Sequence, residues 1–325
     1  MRRISILLFT LVTFLVAAAW PQSHAPKKEP TIITFDPPGS ILTEALDINP
    51  AGAITGAYAD ASNVNHGFLR AKDGTITTFE APGAGTGVFQ GTVAFSINPA
   101  GAITGFYRDA SSTNHGFLRA PDGSITTFDA PGAGTGPGQG TLTSTIDGLN
   151  PEGAIVGGYI STGSIFSGTA VIHGAVRAPD GTITEFDVPG AGTGPGQGTN
   201  PGGINPSGTI SGLYTDSSGV NHGFVRAADG ALTTFDVPGA GTSSGQGTLG
   251  GGLNAPGDVA GIYIDAGNVN HGLLCSKQGA LTTFDVPDAG TGAFQGTFPA
   301  QNNSANAITG YYIDSSNVFH GFLRK

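Results

Sequence analysis

The chain has 325 residues, of which 55 are glycine and 21 are proline, and only 11% are charged. This much glycine and proline excludes a predominantly helical protein, while 38% hydrophobic residues supply enough apolar surface for a substantial core. The net charge of −10 argues against nucleic acid and against anionic membrane surfaces as partners. The single cysteine, Cys275, excludes an intrachain disulfide and any metal site built from several cysteines.

The N-terminus has the features of a secretory signal peptide. Met1-Arg2-Arg3 precedes an uncharged, mainly apolar run over residues 4–19, which is short for a membrane span of about 20 residues. Either Ala17-Ala18-Ala19 or Ser23-His24-Ala25 supplies a cleavage site with small residues. We predict that residues 1–25 are the signal peptide and that residues 26–325 form one domain without a membrane span. The mature protein is then secreted, with the periplasm as the alternative location.

One motif of about 49 residues is repeated six times in the rest of the chain. Each copy carries an asparagine, a tyrosine and a histidine at corresponding positions. The repeated asparagines are Asn49, Asn98, Asn150, Asn205, Asn254 and Asn303. The repeated histidines are His66, His115, His173, His222, His271 and His320.

Each repeat contains four short segments rich in β-branched and aromatic residues, separated by glycine, proline, asparagine and aspartate. We therefore predict an all-β fold, with strands A to D in each repeat. Repeats of this length and strand number are typical of the blades of a β-propeller. The sixth repeat stops after strand C, whereas residues 31–36 have the sequence of a strand D. We expect this N-terminal strand to pair with the last blade and to close a six-bladed β-propeller of four-stranded blades.

The repeat resembles a known family. Ile97-Asn98-Pro99, Gly101, Ile103 and Gly105, followed by His115-Gly116-Phe117-Leu118, is similar to the bacterial extracellular HAF-type repeat. The resemblance covers residues 31–325, with glycine replacing the family's alanine after the histidine in all six copies. It implies secretion and a repeat-built β fold. It transfers no catalytic residue, because the family carries no agreed activity.

The loops of the repeat differ in how constant their lengths are. The A–B and C–D turns keep the same length in every copy. The B–C loop is six residues longer in the third repeat, and the segment from strand D to the next asparagine varies on entering the first and third repeats. In an up-and-down blade the B–C and D–A loops share one face. Because binding sites are often built from variable loops, we predict the binding site there, with neutral variation as the alternative.

The third repeat is the predicted centre of this binding site. Its insertions add residues 141–147 and lengthen the loop over residues 160–172, while the glutamines belong to repeated glycine-rich loops. The candidate ligand-binding residues are Asp147, Ser161, Ser164, Phe166, Ser167, Gln139 and Gln197.

The repeated histidines do not predict a zinc site. Histidines on strand C of neighbouring blades lie more than about 10 Å apart, too far to share an ion bound at about 2.0–2.1 Å. We expect each one to be structural and hydrogen-bonded within its blade. Calcium is the one cofactor that the pattern admits, through closely spaced oxygens, with an Asx turn as the alternative. The weak calcium candidates are Asp60, Asn63, Asp265 and Asn268.

Near-identical repeats favour binding over catalysis, because several similar shallow loops can bind a ligand whereas catalysis needs one asymmetric constellation. We predict a secreted binding or adhesion module, with extracellular polysaccharide or a cell-surface component as its partner. An extracellular polysaccharide lyase or hydrolase on the variable face is the alternative, and a structural surface protein is the third reading. A hydrolase needs two carboxylates about 5–9.5 Å apart. Four acids break the repeat pattern, namely Glu44, Asp47, Asp147 and Asp288. No catalytic residue is identified.

Overall fold

Each repeat folds as an antiparallel meander in which strands A to D follow one another in chain order. The computed structural model describes residues 33–143 and 147–325. The strands of the first three repeats are β1 (Ser40–Ile48), β2 (Ile54–Asp60), β3 (Asn65–Arg70) and β4 (Ile76–Phe79); β5 (Gly91–Ile97), β6 (Ile103–Arg108), β7 (Asn114–Arg119) and β8 (Ile125–Phe128); and β9 (Gly140–Leu142), β10 (Ile155–Thr162), β11 (Val171–Arg177) and β12 (Ile183–Phe186).

The last three repeats have the same order. Their strands are β13 (Gly198–Ile204), β14 (Ile210–Thr215), β15 (Asn221–Arg226) and β16 (Leu232–Phe235); β17 (Gly247–Leu253), β18 (Val259–Ile264), β19 (Asn270–Cys275) and β20 (Leu281–Phe284); and β21 (Gly296–Asn302), β22 (Ile308–Ile313) and β23 (Phe319–Arg324). A 3-10 helix over Ile165–Ser167 lies in the long B–C loop of the third repeat. The predicted all-β class is confirmed.

The short turns are closed by the side chains that the sequence repeats. In the first A–B turn, Asn49 Oδ1 accepts hydrogen bonds from the amides of Ala51 and Ala53, and the Gly52 amide donates to Asn49 O. In the first C–D turn, Asp73 Oδ1 accepts from the Thr75 amide. Such side-chain caps fix turn length, which explains why these two turns never vary.

Successive repeats meet at a glycine where the backbones almost touch. Strand C of each repeat pairs in parallel with strand A of the next at one residue pair, such as Asn65 with Gly91. A Cβ atom on Gly91 would lie 2.0 Å from Asn65 O, and its φ of 100° disfavours other residues. The same contact recurs at Gly140, Gly198, Gly247 and Gly296.

Aromatic rings form much of the core between neighbouring repeats. Phe117 is fully buried and packs edge-to-face on Phe79 of the preceding repeat at 6.0 Å. Arg119, at the end of strand C, lies over the same Phe79 ring at 5.0 Å. Equivalent arginine–phenylalanine stacks join Arg177 to Phe128, Arg226 to Phe186 and Arg324 to Phe284. In the fifth repeat Cys275 takes the arginine position.

The six A–B turns converge at one end of the unit that contains the strands. Each repeated asparagine from the first to the fifth repeat donates its Nδ2 to the carbonyl of the next one, at 3.0–3.5 Å. Residues of all six repeats line one cavity of about 360 Å³ beside these turns. The repeats are therefore arranged around a central axis, as the blades of a propeller are.

The predicted closing strand is not observed in the part of residues 31–36 that the structure describes. The chain divides into two units, Met1–Phe35 and Asp36–Lys325, and the described strands belong to the second. Residues 33–36 are not in a strand, and residues 31 and 32 lie outside the described residues. Within residues 33–143 and 147–325, β23 pairs only with β22, so the sixth repeat has three strands there.

The predicted signal peptide, residues 1–25, lies outside the described residues, so its assignment stays a prediction. In the part of the chain that the structure describes, no helix has the length and apolar character needed to cross a membrane.

We expect one buried hydroxyl per repeat boundary to be essential for stability. Thr248 is fully buried, and its Oγ1 accepts a hydrogen bond from the Val237 amide at 2.9 Å. Thr248→Val should lower the free energy of unfolding by about 1–3 kcal/mol, because it leaves this amide without an acceptor. Thr248→Ser keeps the hydroxyl and serves as the control in denaturant unfolding. Equal stability of the valine and serine variants would contradict the assignment.

Candidate functional site

The B–C and D–A loops form one surface, here called the loop face. A glutamine in each D–A loop bonds that loop to its own backbone and to a B–C loop. In the first of them, Gln90 Oε1 accepts from the Gly87 amide, and Gln90 Nε2 donates to Ala110 O in the next B–C loop. Equivalent bonds are made by Gln139, Gln197, Gln246 and Gln295. The predicted sharing of one face by these loops is therefore observed.

The two glutamines predicted to bind ligand have structural hydrogen bonds at both ends of their amides. Gln139 bonds to the Gly136 amide and to Gly163 O, and Gln197 bonds to the Gly194 amide and to Ser217 O. Gln197 also lines a polar cavity of about 320 Å³ on the loop face. Their first role is to fix the loops that surround them.

Each repeated histidine is bonded within its own repeat, as predicted for a structural residue. In the second repeat, His115 Nδ1 lies 3.0 Å from Asp129 at the end of strand D, and Nε2 lies 3.6 Å from Asp109 in the B–C loop. The ring stacks on Tyr107 at 4.9 Å. In the third repeat Ser161 replaces the loop aspartate, and its Oγ lies 2.9 Å from His173 Nε2.

The weak calcium candidates form Asx turns. Asp60 Oδ1 accepts from the Ser62 and Val64 amides, and Asp265 Oδ1 accepts from the Gly267 and Val269 amides. Asn63 and Asn268 have positive φ angles of 59° and 61°, and Asn268 Oδ1 accepts from Gln246 Nε2. Within the described residues no group of three or more histidine, cysteine or acidic side chains could hold a metal ion.

The long B–C loop of the third repeat folds back onto its neighbour. Ser164 caps the 3-10 helix by accepting from the Phe166 amide, and Ser167 Oγ donates to Ser164 O. The Phe166 ring covers Gly138, where a Cβ atom would lie 2.8 Å from it. The Arg108 guanidinium of the second repeat lies 4.9 Å from the Phe166 ring centre.

Two further phenylalanines on the loop face have unusual backbones. Phe89 and Phe294 directly precede the loop glutamine, with φ angles of 60° and 66° and exposed fractions of 64% and 75%. The other three loops have glycine in this position, namely Gly138, Gly196 and Gly245. A positive φ costs a phenylalanine about 1 kcal/mol or more. Exposed side chains held at such a cost are candidates for a function.

Phe89, Arg108 and Phe166 together form what we call the aromatic site. Arg108 Nη1 donates to Phe89 O at 2.6 Å, while its guanidinium lies over the Phe166 ring. Phe166, with 58% of its surface exposed, stands over Gly138, the glycine that corresponds to Phe89. The sequence pattern predicts Phe166 as a binding residue but does not predict Phe89, Arg108 or Phe294. Alignment of the repeats shows the signal, since Phe89 and Phe294 replace glycine and Arg108 replaces a small or apolar residue.

Asp147 does not belong to the loop face. It lines the central cavity with Asp47 and Gln301, and Gln301 Nε2 donates to its carboxylate. Burial raises the pKa of the Asp147 carboxyl, the hydrogen bond from Gln301 lowers it, and the charge of Asp47 raises it, with a net increase. Its predicted place beside Ser161, Ser164 and Phe166 is therefore wrong.

Asp147 lies away from the loop face because of where the three extra residues of the third repeat are inserted. Strand A begins twelve residues after strand D ends in all five D–A loops, including the one before β9. The insertion therefore follows β9 and does not lengthen the D–A loop, and Asp147 lines the central cavity. Of the four acids that break the repeat pattern, Asp47 and Asp147 meet in this cavity. Asp47 accepts from Ser96 Oγ and from the Ile97 amide.

No protein-family model matches the chain, and no curated protein matches it. The resemblance to the HAF-type repeat therefore stays a prediction. Several solved structures are similar. AofleA from Arthrobotrys oligospora has a TM-score of 0.47 and 13% identity, over 88% of this chain and 84% of its own. A fungal lectin from Aleuria aurantia, described with a six-bladed beta-propeller fold and a novel fucose recognition mode, has a TM-score of 0.44 and 14% identity, over 85% and 89%.

Dipeptidyl peptidase 4 from Porphyromonas gingivalis has a TM-score of 0.43 and 9% identity, over 85% of this chain and 44% of its own. TM-scores below 0.5 at such identities do not assign a function.

We expect the loop aspartates to make the protein sensitive to acid. Partial burial raises the pKa of the Asp216 and Asp265 carboxyls, but hydrogen bonds from loop amides and the nearby histidines outweigh it, so both lie below the ordinary 3.8. A carboxyl with a depressed pKa in the folded state stabilises the protein above its unfolded pKa. That contribution is lost as pH falls through the folded pKa.

Thermal midpoints should therefore fall steeply below about pH 4. The variant with Asp216→Asn and Asp265→Asn should show a shallower fall, measured by circular dichroism. Glu152→Gln together with Asp288→Asn controls for net charge. Parallel pH profiles for the two double variants would contradict the prediction.

Proposed function

We propose that the protein is a secreted or periplasmic binding module for extracellular glycan and that the aromatic site is its contact surface. The observation that carries the proposal is the retention of exposed Phe89 and Phe294 in a backbone conformation that glycine adopts in the other loops. The long B–C loop of the third repeat places Phe166 above Gly138, the glycine that aligns with Phe89 and Phe294. Exposed aromatic rings thus stand at three of the five D–A loops, two from the loops themselves and one from the long B–C loop.

The chemistry of the aromatic site suits a sugar. An aromatic ring gives a flat apolar platform for the C–H face of a pyranose, and Arg108 adds donors beside two such rings. The only tryptophan, Trp20, lies within the predicted signal peptide, so phenylalanine and tyrosine supply the aromatic surface of the mature chain. The net charge of −10 favours neutral over acidic glycans and over nucleic acid.

The test is a polysaccharide retention assay with single variants. Phe166→Ala and Phe89→Ala should each weaken binding to a glycan that retains the wild type by at least about tenfold, or 1.4 kcal/mol. Phe294→Gly separates binding from folding, because removing the strained residue should leave stability equal or higher while it removes one platform. Shortening the loop over residues 160–172 to the length of the other B–C loops should also weaken binding.

Stability is measured in parallel by thermal unfolding. Full binding by the Phe89 and Phe166 variants, each folded as the wild type is, would exclude the aromatic site. Full binding by Phe294→Gly would exclude Phe294 as a further contact. Loss of binding confined to variants of the opposite A–B and C–D turns would place the site on the other face.

A polysaccharide hydrolase or lyase is the second candidate, and one observation gives it a location. Asp47 and Asp147 share the central cavity in different environments, since Asp47 accepts three hydrogen bonds and burial raises the pKa of Asp147. The same polysaccharides are screened for released reducing or unsaturated ends. Turnover that disappears in Asp147→Asn but persists in Phe166→Ala would favour the enzyme over the binding module.

We further propose that the fold is a closed six-bladed propeller completed by residues 31–36. Strand C of the first five repeats pairs with a strand D whose phenylalanine covers a strand C glycine. Residues 31–36 have this sequence, with Phe35 in the phenylalanine position. By the register of the other blades, Phe35 would face Gly321 of β23.

Alanine at the covered glycine tests closure of the ring. A Cβ atom on Gly116 would lie 2.5 Å from the Phe128 ring, whereas within residues 33–143 and 147–325 the nearest atom to a Cβ on Gly321 lies 4.0 Å away. Gly116→Ala should therefore lower the free energy of unfolding by about 1–3 kcal/mol. If the ring closes, Gly321→Ala should cost a similar amount, and deletion of residues 31–36 should abolish the difference. A neutral or stabilising Gly321→Ala would overturn the closed propeller.

A further inference from the structure

The boundary between the fourth and fifth repeats differs from the others in one side chain. At four boundaries an arginine from the end of strand C lies 4.8–5.1 Å from the ring centre of the preceding repeat's phenylalanine. At this boundary the phenylalanine is Phe235 and the arginine position holds Cys275, which is buried. A cavity of about 320 Å³, lined by Phe235, Val225 and Cys275, lies where the guanidinium would be.

The fifth repeat also has its aspartate at a different position from the other repeats. In the second and fourth repeats an aspartate three residues after the arginine interacts with its charge, as Asp122 does with Arg119 and Asp229 with Arg226. In the fifth repeat that position is Gln278, while Asp258 appears where the other repeats have alanine or threonine. Asp258 Oδ1 accepts from the amide of Lys277, which lines the cavity. The boundary has thus kept an acid and an aromatic ring but lost the guanidinium that stacks on that ring elsewhere.

Lys277 does not replace the arginine. Its side-chain carbons lie beside Gly257, just as those of Lys72 lie beside Gly52 in the first repeat, where Arg70 is also present. A lysine in this turn is therefore compatible with a guanidinium in the same turn. The polar side chains of Ser207, Thr209 and Thr233 also line the cavity and can accept hydrogen bonds.

We propose that this cavity is a binding site for the guanidinium group of an arginine side chain from a peptide ligand. The ligand would supply in trans the planar cation that four other repeats supply in cis. Phe235 gives the ring face for cation–π stacking, and the nearby Asp258 gives the opposite charge. The site lies at the A–B and C–D turns, away from the aromatic site, so it does not depend on the proposed glycan binding.

The test compares three side chains in an NMR titration of the full chain. N-acetyl-arginine amide should give saturable shifts at the Phe235 and Cys275 resonances. N-acetyl-citrulline amide, its neutral isostere, and N-acetyl-lysine amide should bind at least tenfold more weakly. Cys275→Arg restores the residue of the other repeats and should abolish binding while it raises the thermal midpoint. Arg226→Cys should open a matched cavity over Phe186 and create a second site.

Phe235→Leu is the second variant, checked for folding by circular dichroism, and it should weaken arginine binding while the fold is kept. Equal affinity for the arginine and citrulline compounds would overturn the proposal, because it would show that charge is not recognised. Arginine binding that persists in a folded Cys275→Arg variant would overturn it as well, because it would place the ligand elsewhere.

Discussion

The contact on which the structure depends is the approach of two backbones at the glycine that starts strand A. A side chain at Gly91 would collide with the carbonyl of Asn65, and the same holds at four later boundaries. Because the contact joins one residue of strand C to one residue of the next strand A, it fixes the register between repeats. The hydroxyl of the neighbouring threonine then accepts a hydrogen bond from a buried amide of the preceding repeat. The phenylalanine and arginine side chains stack across the same boundary. Each of these boundaries thus repeats the backbone geometry of the one before it.

Because the six repeats are so similar, they differ from one another at only a few positions. On the loop face the differences are phenylalanine in place of glycine, Arg108 and the long third-repeat loop. Near the axis they are Asp47, Asp147 and Gln301, while the fourth and fifth repeats have glycines at the corresponding positions. At one boundary the difference is Cys275 with Asp258. Each group departs from the repeat where side chains can reach an external molecule without disturbing the meanders.

Much of the fold was predictable because the same pattern of strand and turn residues occurs in all six repeats. The strand order, the constant turns and the intra-repeat bonding of the histidines follow from spacing and from turn-forming residues. The position of Asp147 was not predictable, because three extra residues can extend a loop or an inner strand without changing the spacing between markers. The backbone hydrogen bonds of Gln139 and Gln197 were not predictable either, since the sequence is the same for a loop amide that is free and for one bonded to backbone. Phe89 and Phe294 required backbone angles, because only a positive φ shows that phenylalanine is costly there.

The glutamine bonds have a consequence for how the loop face would meet a ligand. Surface loops of this length usually sample many conformations, and a partner that orders them loses affinity to the entropy of that ordering. Here each loop is bonded through one amide to its own backbone and to the neighbouring repeat before any ligand arrives. Exposed rings beside such loops are presented in a preorganised arrangement. Association would then need little conformational search, and differences in affinity among ligands would show mainly in how slowly they leave.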